Sequence, residues 1–425
     1  MTVPAELRSE VEAEARENVV RLMPHASLVL WNGNNENLWG YMDWGWESQL
    51  AGASWGEGYY LELLPKVVGE LDPTRPYWAG TPWSGSWEHD PNDPDHGTVH
   101  SWDVWNRRDY TDYHAGVPRF VAEFGWQGPA TYATIARAIS DRPLVADSPA
   151  MLHHQKANDG QGKLDRGLAE HFGVPGDFDR WHYLTQLNQV RAVALGIEHW
   201  RSHWPRCAGT IVWQLNDCWP VTSWAAIDGD GRFKPLYHEL ARLYADRLLS
   251  FQQRDGALVL TAANQGAAPW TGAVTVRRVG ADGEVLAEYE AELAVPARAV
   301  SVLSLPAGIT ASAAPDKEFW VADQFGAKVE RAVYFACPDR EFTYPAARMD
   351  VEVHPEPGRD RTTVTVTART LVRDLLLQAD RLHPDARTDR GRATLLPGER
   401  AVFAVEGWDG ADHDLLGGAL FCVNG

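Results

Sequence analysis

The fold is decided by one segment of the chain, which reads Ala26-Ser27-Leu28-Val29-Leu30-Trp31-Asn32-Gly33-Asn34-Asn35-Glu36. The apolar run over residues 27–31 predicts a short buried strand. The sequence then changes abruptly to amides and a carboxylate, Glu36. Because catalytic groups of barrel enzymes lie at the C-terminal ends of parallel strands, we interpret Glu36 as a proton-transferring carboxylate. The alternative is an exposed Glu in a polar turn, and this segment alone leaves both interpretations open.

Strand-like and helix-like segments alternate from the N-terminus to residue 246, a rhythm typical of parallel β/α architecture. The pattern predicts strands at 27–31, 76–80, 97–101, 118–123 and 209–214. It predicts helices at 4–22, 58–70, 130–140, 179–201 and 235–246. The intervening residues 141–178 read as a long, irregular, loop-rich excursion, and loops of that length are usually lids or binding loops.

After residue 247 the pattern changes to short alternating strands separated by Gly and Pro turns, which is typical of β-sandwiches. The predicted strands are 257–261, 272–277, 285–293, 299–305, 318–335, 348–354, 361–368, 372–379, 400–404 and 416–422. We therefore expect three domains: an α/β catalytic domain over 1–246, a β-sandwich over 247–340 and an immunoglobulin-like β-sandwich over 341–425.

A second strand-end carboxylate, Glu123, follows the apolar segment Arg119-Phe120-Val121-Ala122. In a barrel, residues at the ends of different strands converge on one face, so Glu36 and Glu123 are expected to meet. Paired carboxylates are what glycoside hydrolysis requires, provided that one stays protonated while the other is ionised. The alternative for Glu123 is a structural carboxylate at a strand end.

Tryptophan is concentrated in the first part of the chain, where 17 of the 20 Trp residues precede residue 247. Trp combines a flat apolar face with an N–H that needs a partner, and many of them beside polar residues suit a carbohydrate cleft. Trp213, His100 and Trp102 lie at predicted strand ends and are candidate sugar contacts. The alternative for each is an ordinary core residue.

Composition excludes several classes of protein. The net charge of −19 argues against nucleic acid or an anionic membrane as a partner, and no apolar run is long enough to span a bilayer. The four cysteines show no C-x-x-C spacing, so neither a disulfide framework nor a zinc site is predicted. Residues 5–17 lack the pattern of a signal peptide. We expect a cytoplasmic protein that needs no metal or organic cofactor.

Three motifs in order resemble β-mannosidases of glycoside hydrolase family 2: Trp31–Glu36, Phe120–Gly125 and Trp213–Trp219. The resemblance implies a retaining hydrolase that releases terminal β-mannose from the non-reducing end of mannosides or manno-oligosaccharides. It implies that Glu36 is the acid/base and Glu123 the nucleophile. The expected sugar contacts are Asn35, Trp31, Trp44, His100, Trp102, Trp105 and Trp213.

The chain departs from the family pattern at its front, because it begins at a helix that should follow the third barrel strand. The expected fold is therefore an incomplete (β/α)8 TIM-type barrel followed by two immunoglobulin-like sandwiches. We expect a fragment of a larger enzyme, and the sequence leaves open whether it is active and stable without the missing N-terminal portion. The alternatives are another family 2 β-glycosidase, such as a β-galactosidase or β-glucuronidase, and an inactive carbohydrate-binding fragment.

Overall fold

A computed structural model of the chain describes residues 5–326 and 329–425. The chain divides into two compact units. The first unit contains the residues up to 102 together with 115–124 and 205–211. The second contains 103–114, 125–204 and 212–425.

The first unit is built from short parallel strands and the helices that precede or follow them. Its helices are α1 (Ala5–Leu22), α2 (Asn37–Asp43), α3 (Trp46–Leu50) and α4 (Leu64–Leu71), the last preceded by a π-helical turn, Tyr59–Leu63. Its strands are β1 (Trp31–Asn32), β2 (Tyr77–Trp78), β3 (Val99–Ser101) and β4 (Val121–Phe124). Strand β1 pairs with β2, and β3 pairs with β4, both in parallel. The apolar faces of α1 and α4 meet around Val19, Val67 and Val68.

The expectation of a buried strand over 27–31 is wrong. The strand covers only Trp31 and Asn32, and the Val29 side chain is 73% exposed. Within the described residues, β1 pairs on one side only, with β2. One edge of β1 therefore has no strand partner among the described residues.

The α/β part continues in the second unit. It contains α5 (Asp103–Asn106), a 3-10 turn (Tyr110–Ala115), α6 (Tyr132–Ala138), α7 (Pro149–His153), α8 (Gly160–His171), α9 (Phe178–Arg201) and α10 (Pro235–Leu243). Strand β5 (Thr210–Val212) joins the β3–β4 sheet beside β4 and crosses the division between the units. The predicted helix over 179–201 is confirmed. The loop expected over 141–178 is wrong, because α8 buries Leu164 and Leu168, one turn apart.

Two antiparallel sheets follow α10. Their strands are β6 (Arg247–Arg254), β7 (Ala257–Asn264), β8 (Trp270–Gly280), β9 (Val285–Val295), β10 (Ala299–Ser304), β11 (Glu318–Asp323) and β12 (Ala332–Phe335). A short helix, α11 (Ala307–Thr310), links β10 to β11. The sheet orders are β10-β7-β6 and β12-β11-β8-β9. Phe251, Leu260, Trp270 and Trp320 belong to the core cluster that joins these strands.

The last part of the chain forms two further antiparallel sheets, with orders β13-β14-β18-β16 and β17-β15-β19. The strands are β13 (Met349–Pro355), β14 (Arg361–Ala368), β15 (Val372–Leu377), β16 (Arg387–Thr388), β17 (Ala393–Leu395), β18 (Arg400–Glu406) and β19 (Leu420–Phe421). The strand predicted over 416–422 is only partly correct, because α12 (Leu416–Ala419) occupies its first half. Val364, Leu375 and Phe403 form part of the buried core. Among the described helices, none is long and apolar enough to cross a membrane.

Candidate active site

The turn after β1 holds Glu36 in a left-handed conformation, with φ 63°. The Glu36 N–H donates to the Thr81 carbonyl at 2.7 Å, and its carbonyl accepts from Gly40 N at 2.7 Å as α2 begins. The Asn34 amide donates to the Ala79 carbonyl at 2.6 Å, while its oxygen accepts from Asn37 N at 3.0 Å. The turn therefore fixes the position of Glu36 through its backbone.

Gly33 permits the close packing of this turn against the next strand. A Cβ atom at Gly33 would lie 2.1 Å from the Tyr77 hydroxyl and 2.6 Å from the Ala79 carbonyl oxygen. Neither neighbour is free to withdraw, because the Tyr77 hydroxyl donates to the Tyr60 carbonyl at 2.7 Å and Ala79 is backbone. A side chain at position 33 is therefore sterically excluded.

His100 lies at the end of β3 with its side chain fully buried. Its backbone is held by Asn92, whose amide accepts from His100 N at 2.8 Å and donates to His100 O at 3.0 Å. Its Nδ1 atom lies 2.8 Å from Oε1 of Glu36 and 3.4 Å from Oε2 of Glu123. Both neighbours are carboxylates, which only accept when ionised, so Nδ1 carries the proton in that state.

Glu123 lies on β4 directly opposite His100 in the parallel register. Trp102 Nε1 donates to Glu123 Oε2 at 3.0 Å. Burial raises the pKa of Glu123, the neighbouring Glu36 raises it further, and His100 and the Trp102 hydrogen bond only partly offset this. The surroundings of Glu123, which the resemblance makes the nucleophile, therefore favour its protonated form.

Glu36, His100 and Glu123 come from three separate strand ends, and one ligand-type atom of each lies within 4.8 Å of the others. Beside them, the Trp39 ring meets His100 edge-on at 6.4 Å, and the Trp44 ring lies 5.3 Å from Trp39. Trp44 is 43% exposed, so its ring is open to solvent. The first unit thus places two carboxylates, an imidazole and accessible indole rings in one cluster.

The remaining expected sugar contacts have other surroundings. Trp31 donates to Asp72 at 2.9 Å and packs on the α1–α4 core, and Asn35 is exposed. Trp105 is 1% exposed, with its ring against Trp126 and Trp224. A ring buried in this way has no free face for a sugar.

Trp213 follows β5, is partly exposed and belongs to the second unit. Sequence reasoning missed Asn92, which holds the backbone of His100. Its segment, Asp90-Pro91-Asn92-Asp93, reads as an ordinary polar loop and gives no signal of this contact.

Two groups among the described residues have the spacing of cation ligands: the Glu36 cluster itself and His89, Asp93 and His96. In the second group the rings of His89 and His96 stack at 4.0 Å with an interplanar angle of 10°. Imidazole nitrogens bind a metal in the plane of the ring at about 2.0–2.1 Å, so two parallel stacked rings cannot both face one ion. One ring would have to rotate before this group could bind a metal.

No protein-family model matches the sequence. The chain is 33% identical over 253 residues to Beta-mannosidase B of Aspergillus flavus, covering 56% of this chain and 30% of that protein. The match to Beta-mannosidase B of Aspergillus niger has the same identity and coverage. The chain therefore spans about a third of the length of the curated relatives it matches.

Solved structures of glycoside hydrolases share the fold. The exo-chitosanase CsxA of Amycolatopsis orientalis superposes with a TM-score of 0.65 at 17% identity, covering 99% of this chain and 54% of that one. The β-D-mannosidase of Dictyoglomus thermophilum superposes with a TM-score of 0.84 at 28% identity, covering 99% of this chain and 51% of that one. The resemblance to family 2 β-mannosidases that the motifs indicated is confirmed by these matches.

Proposed function

We propose that this chain carries the catalytic carboxylates of a retaining exo-β-mannosidase, which hydrolyses terminal non-reducing β-D-mannose residues. The observation that carries the proposal is the convergence of Glu36, His100 and Glu123 within 4.8 Å. Retaining glycosidases hold their two carboxyl groups about 5–5.5 Å apart, whereas inverting enzymes separate them by about 6.5–9.5 Å. The close approach of the two carboxylates supports the retaining alternative.

The strands and helices that carry these residues form, in our proposal, part of an open (β/α)8 barrel. The parallel pairs β1–β2 and β3–β4 support this architecture, since Glu36 follows β1 while His100 and Glu123 lie in the C-terminal halves of β3 and β4. The chain spans about half the length of the Dictyoglomus mannosidase.

In the first step, Glu36 donates its proton to the glycosidic oxygen while a Glu123 carboxylate oxygen bonds to the anomeric carbon, and the bond to the leaving group breaks. In the second step, Glu36 accepts a proton from water, whose oxygen bonds to the anomeric carbon. The ester bond to Glu123 breaks, which releases mannose and restores both carboxyl groups. His100 donates to Glu36 and lies beside Glu123, so it orients both groups.

The raised pKa of Glu123 supports a second assignment, in which Glu123 is the acid and Glu36 the nucleophile. A 2-deoxy-2-fluoro-β-mannosyl fluoride distinguishes the two, because a retaining enzyme forms a long-lived ester with it. We expect mass spectrometry of digested protein to find the label on the Glu123 peptide, and none in Glu123→Gln. A label on the Glu36 peptide would show that Glu36 is the nucleophile and Glu123 the acid.

The sugar specificity is tested with a panel of aryl β-glycosides. We expect aryl β-mannoside to be hydrolysed faster than the galactoside or glucuronide. The NMR spectrum of the first product should show the β-anomer, and an initial α-anomer would contradict the retaining mechanism. A chain that neither forms the ester nor hydrolyses any member of the panel would contradict the proposal as a whole.

A further inference from the structure

A cavity of about 630 Å³ lies within the second unit. Its walls come from helices α9 and α10, from strands β6 and β12 of the sheets that follow α10, and from strands β15, β17 and β18 of the last two sheets. None of the candidate active-site residues lines it. Binding sites for small molecules typically have volumes of roughly 300–1,000 Å³, so this cavity is large enough for a small ligand.

The walls of the cavity are rich in arginine. The lining residues include seven arginines and five carboxylates, whereas the chain as a whole has a net charge of −19. Each guanidinium offers five N–H donors in a fixed fork, which matches the oxygen atoms of a carboxylate or a phosphate group. The composition of the walls therefore indicates an anionic ligand rather than a cationic or neutral one.

Two further carboxylates, Asp339 and Asp374, hold these arginines in place without lining the cavity themselves. The Asp374 side chain is completely buried and contacts Arg191, Arg392 at 2.8 Å and Arg373 at 3.3 Å. Asp339 also contacts Arg191. Because all three arginines line the cavity and the two aspartates do not, a ligand inside the cavity meets guanidinium groups whose acidic partners lie behind them.

Arg373 is the inner arginine of the cavity, and its side chain is more than nine-tenths buried, with 8% of the residue exposed. Its guanidinium lies over the Phe335 ring at 3.7 Å. Its Nε atom is buried and has no hydrogen-bond partner among the described residues, since the contact with Asp374 lacks hydrogen-bond geometry. Arg373 therefore has donor capacity that the described protein groups leave unused.

Arg390 and Arg400 line the cavity and are themselves exposed, so they lie where it opens to solvent. The Arg390 guanidinium donates to the Val402 carbonyl at 3.4 Å and lies over the Phe403 ring at 5.9 Å. Neither arginine forms an ion pair with an acidic side chain of the described part of the chain. The opening of the cavity therefore carries two cations whose charge no described carboxylate neutralises.

We propose that this cavity binds a small oxyanion ligand, a molecule that carries a phosphate group or several carboxylates. Arg373 is its inner donor, and Arg390 and Arg400 are the donors at its opening. The site is independent of the proposed function, because it shares no residue with the candidate active site. A ligand bound there contacts both helices and strands of the second unit.

Isothermal titration calorimetry of the full chain tests the site with two probes, pyrophosphate and citrate. We expect at least one of them to bind with one site per chain, and the tighter probe shows whether the ligand carries phosphate or carboxylates. Arg390→Gln and Arg400→Gln should each raise the dissociation constant of that probe about tenfold, as expected for losing one hydrogen bond between charged groups. Neither residue contacts a buried acid, so both variants should unfold at the parent temperature when no ligand is added.

Two further variants separate recognition by the guanidinium from attraction by charge alone. Arg390→Lys keeps the positive charge and loses the fork of donors, so its dissociation constant should lie between those of the parent and Arg390→Gln. Arg359→Gln is the matched control, because Arg359 is an exposed arginine that does not line the cavity, and it should bind like the parent. The proposal is overturned if neither probe binds, if Arg390→Gln and Arg400→Gln bind like the parent, or if Arg359→Gln loses as much affinity as they do.

Discussion

The Nδ1 atom of His100 lies 2.8 Å from Oε1 of Glu36. Because the same atom is 3.4 Å from Glu123, one imidazole contacts both carboxyl groups of the proposed reaction. Its ring is buried and its backbone is fixed by Asn92. We therefore regard His100 as a positioning residue that sets the distance between the acid and the nucleophile.

Replacing His100 with Phe keeps a ring of similar size and removes the hydrogen bond to Glu36. We expect kcat for aryl β-mannoside to fall about 100-fold. A correctly placed proton-transferring group accelerates a reaction by roughly 10²–10⁴-fold, and much of that acceleration is lost when the group is misplaced. KM should change little, because the exposed ring of Trp44 remains as a sugar contact. A Phe variant with the parent kcat and pH profile would show that the imidazole is merely packing.

Glu36→Ala should separate substrates by their leaving groups. The dinitrophenolate group of dinitrophenyl β-mannoside departs without being protonated. The rate at which Glu123 forms the glycosyl ester from this substrate should therefore change little. Methyl β-mannoside needs the proton and should react about 10³-fold more slowly. Glu47→Ala is the control, because Glu47 is an exposed carboxylate on the nearby helix α3. Equal losses for both mannosides would contradict the acid role of Glu36.

Trp102→Phe tests the surroundings of Glu123. The indole N–H lowers the pKa of Glu123, whose net direction is upward because of burial. Without the hydrogen bond the pKa rises further, so ionisation of the nucleophile requires a higher pH. We expect the acidic limb of the kcat/KM profile to move up by about one pH unit. A downward shift, or none, would contradict this role for Trp102.

Gly33→Ala should distort the turn that carries Glu36. The new methyl group would lie 2.1 Å from the Tyr77 hydroxyl, and such overpacking costs about 1–3 kcal/mol of unfolding free energy. Gly69→Ala is the control, because its Cβ in α4 meets nothing within 4 Å. That variant should gain up to about 1 kcal/mol from helix propensity. Urea unfolding compares the two, and equal stabilities would refute the steric argument.

Asp374→Asn should destabilise the second unit. Burial opposes ionisation, but Arg373, Arg191 and Arg392 outweigh it and hold the pKa of Asp374 well below its usual range. Removing one partner of a buried ion pair costs about 3–5 kcal/mol. Because the pKa of Asp374 is lower in the folded than in the unfolded protein, its ionised form stabilises the fold at pH values above the unfolded pKa of about 3.9. This stabilisation is lost as the pH falls toward the folded pKa. The stability gap between parent and variant should therefore narrow in acid. Asp412→Asn, at an exposed site, is the control.

The sequence predicts those parts of the fold whose signal is local. The sequence predicts helix α9 because Leu184, Leu187 and Val190 recur at helical spacing, and the structure buries all three. The sequence does not predict helix α8, because Gly160, Gly162 and the charged residues of this segment obscure the helical spacing of Leu164 and Leu168. Strand β1 pairs only with β2 among the described residues, and no local sequence pattern indicates how far a strand pairs with its neighbour.

The same distinction applies to the site. The sequence predicts that Glu36, Glu123 and His100 lie at strand ends, and strand ends converge; the structure brings the three together. The resemblance implies Trp105 as a sugar contact, yet its ring lies among other rings in the core. The contact of Asn92 with His100 and the upward pKa of Glu123 follow from three-dimensional packing, so the sequence could not supply them.

The ion pairs around Asp374 have a consequence for how the chain comes apart. Arg191 of helix α9 contacts both Asp339 and Asp374, and Arg392 links Asp374 at 2.8 Å to Glu239 of helix α10 at 3.0 Å. These ion pairs therefore join helices α9 and α10 to the part of the chain that follows residue 246. A protease that nicks the connection after α10 should leave two pieces that co-elute, melt together in one calorimetric peak and separate only in denaturant.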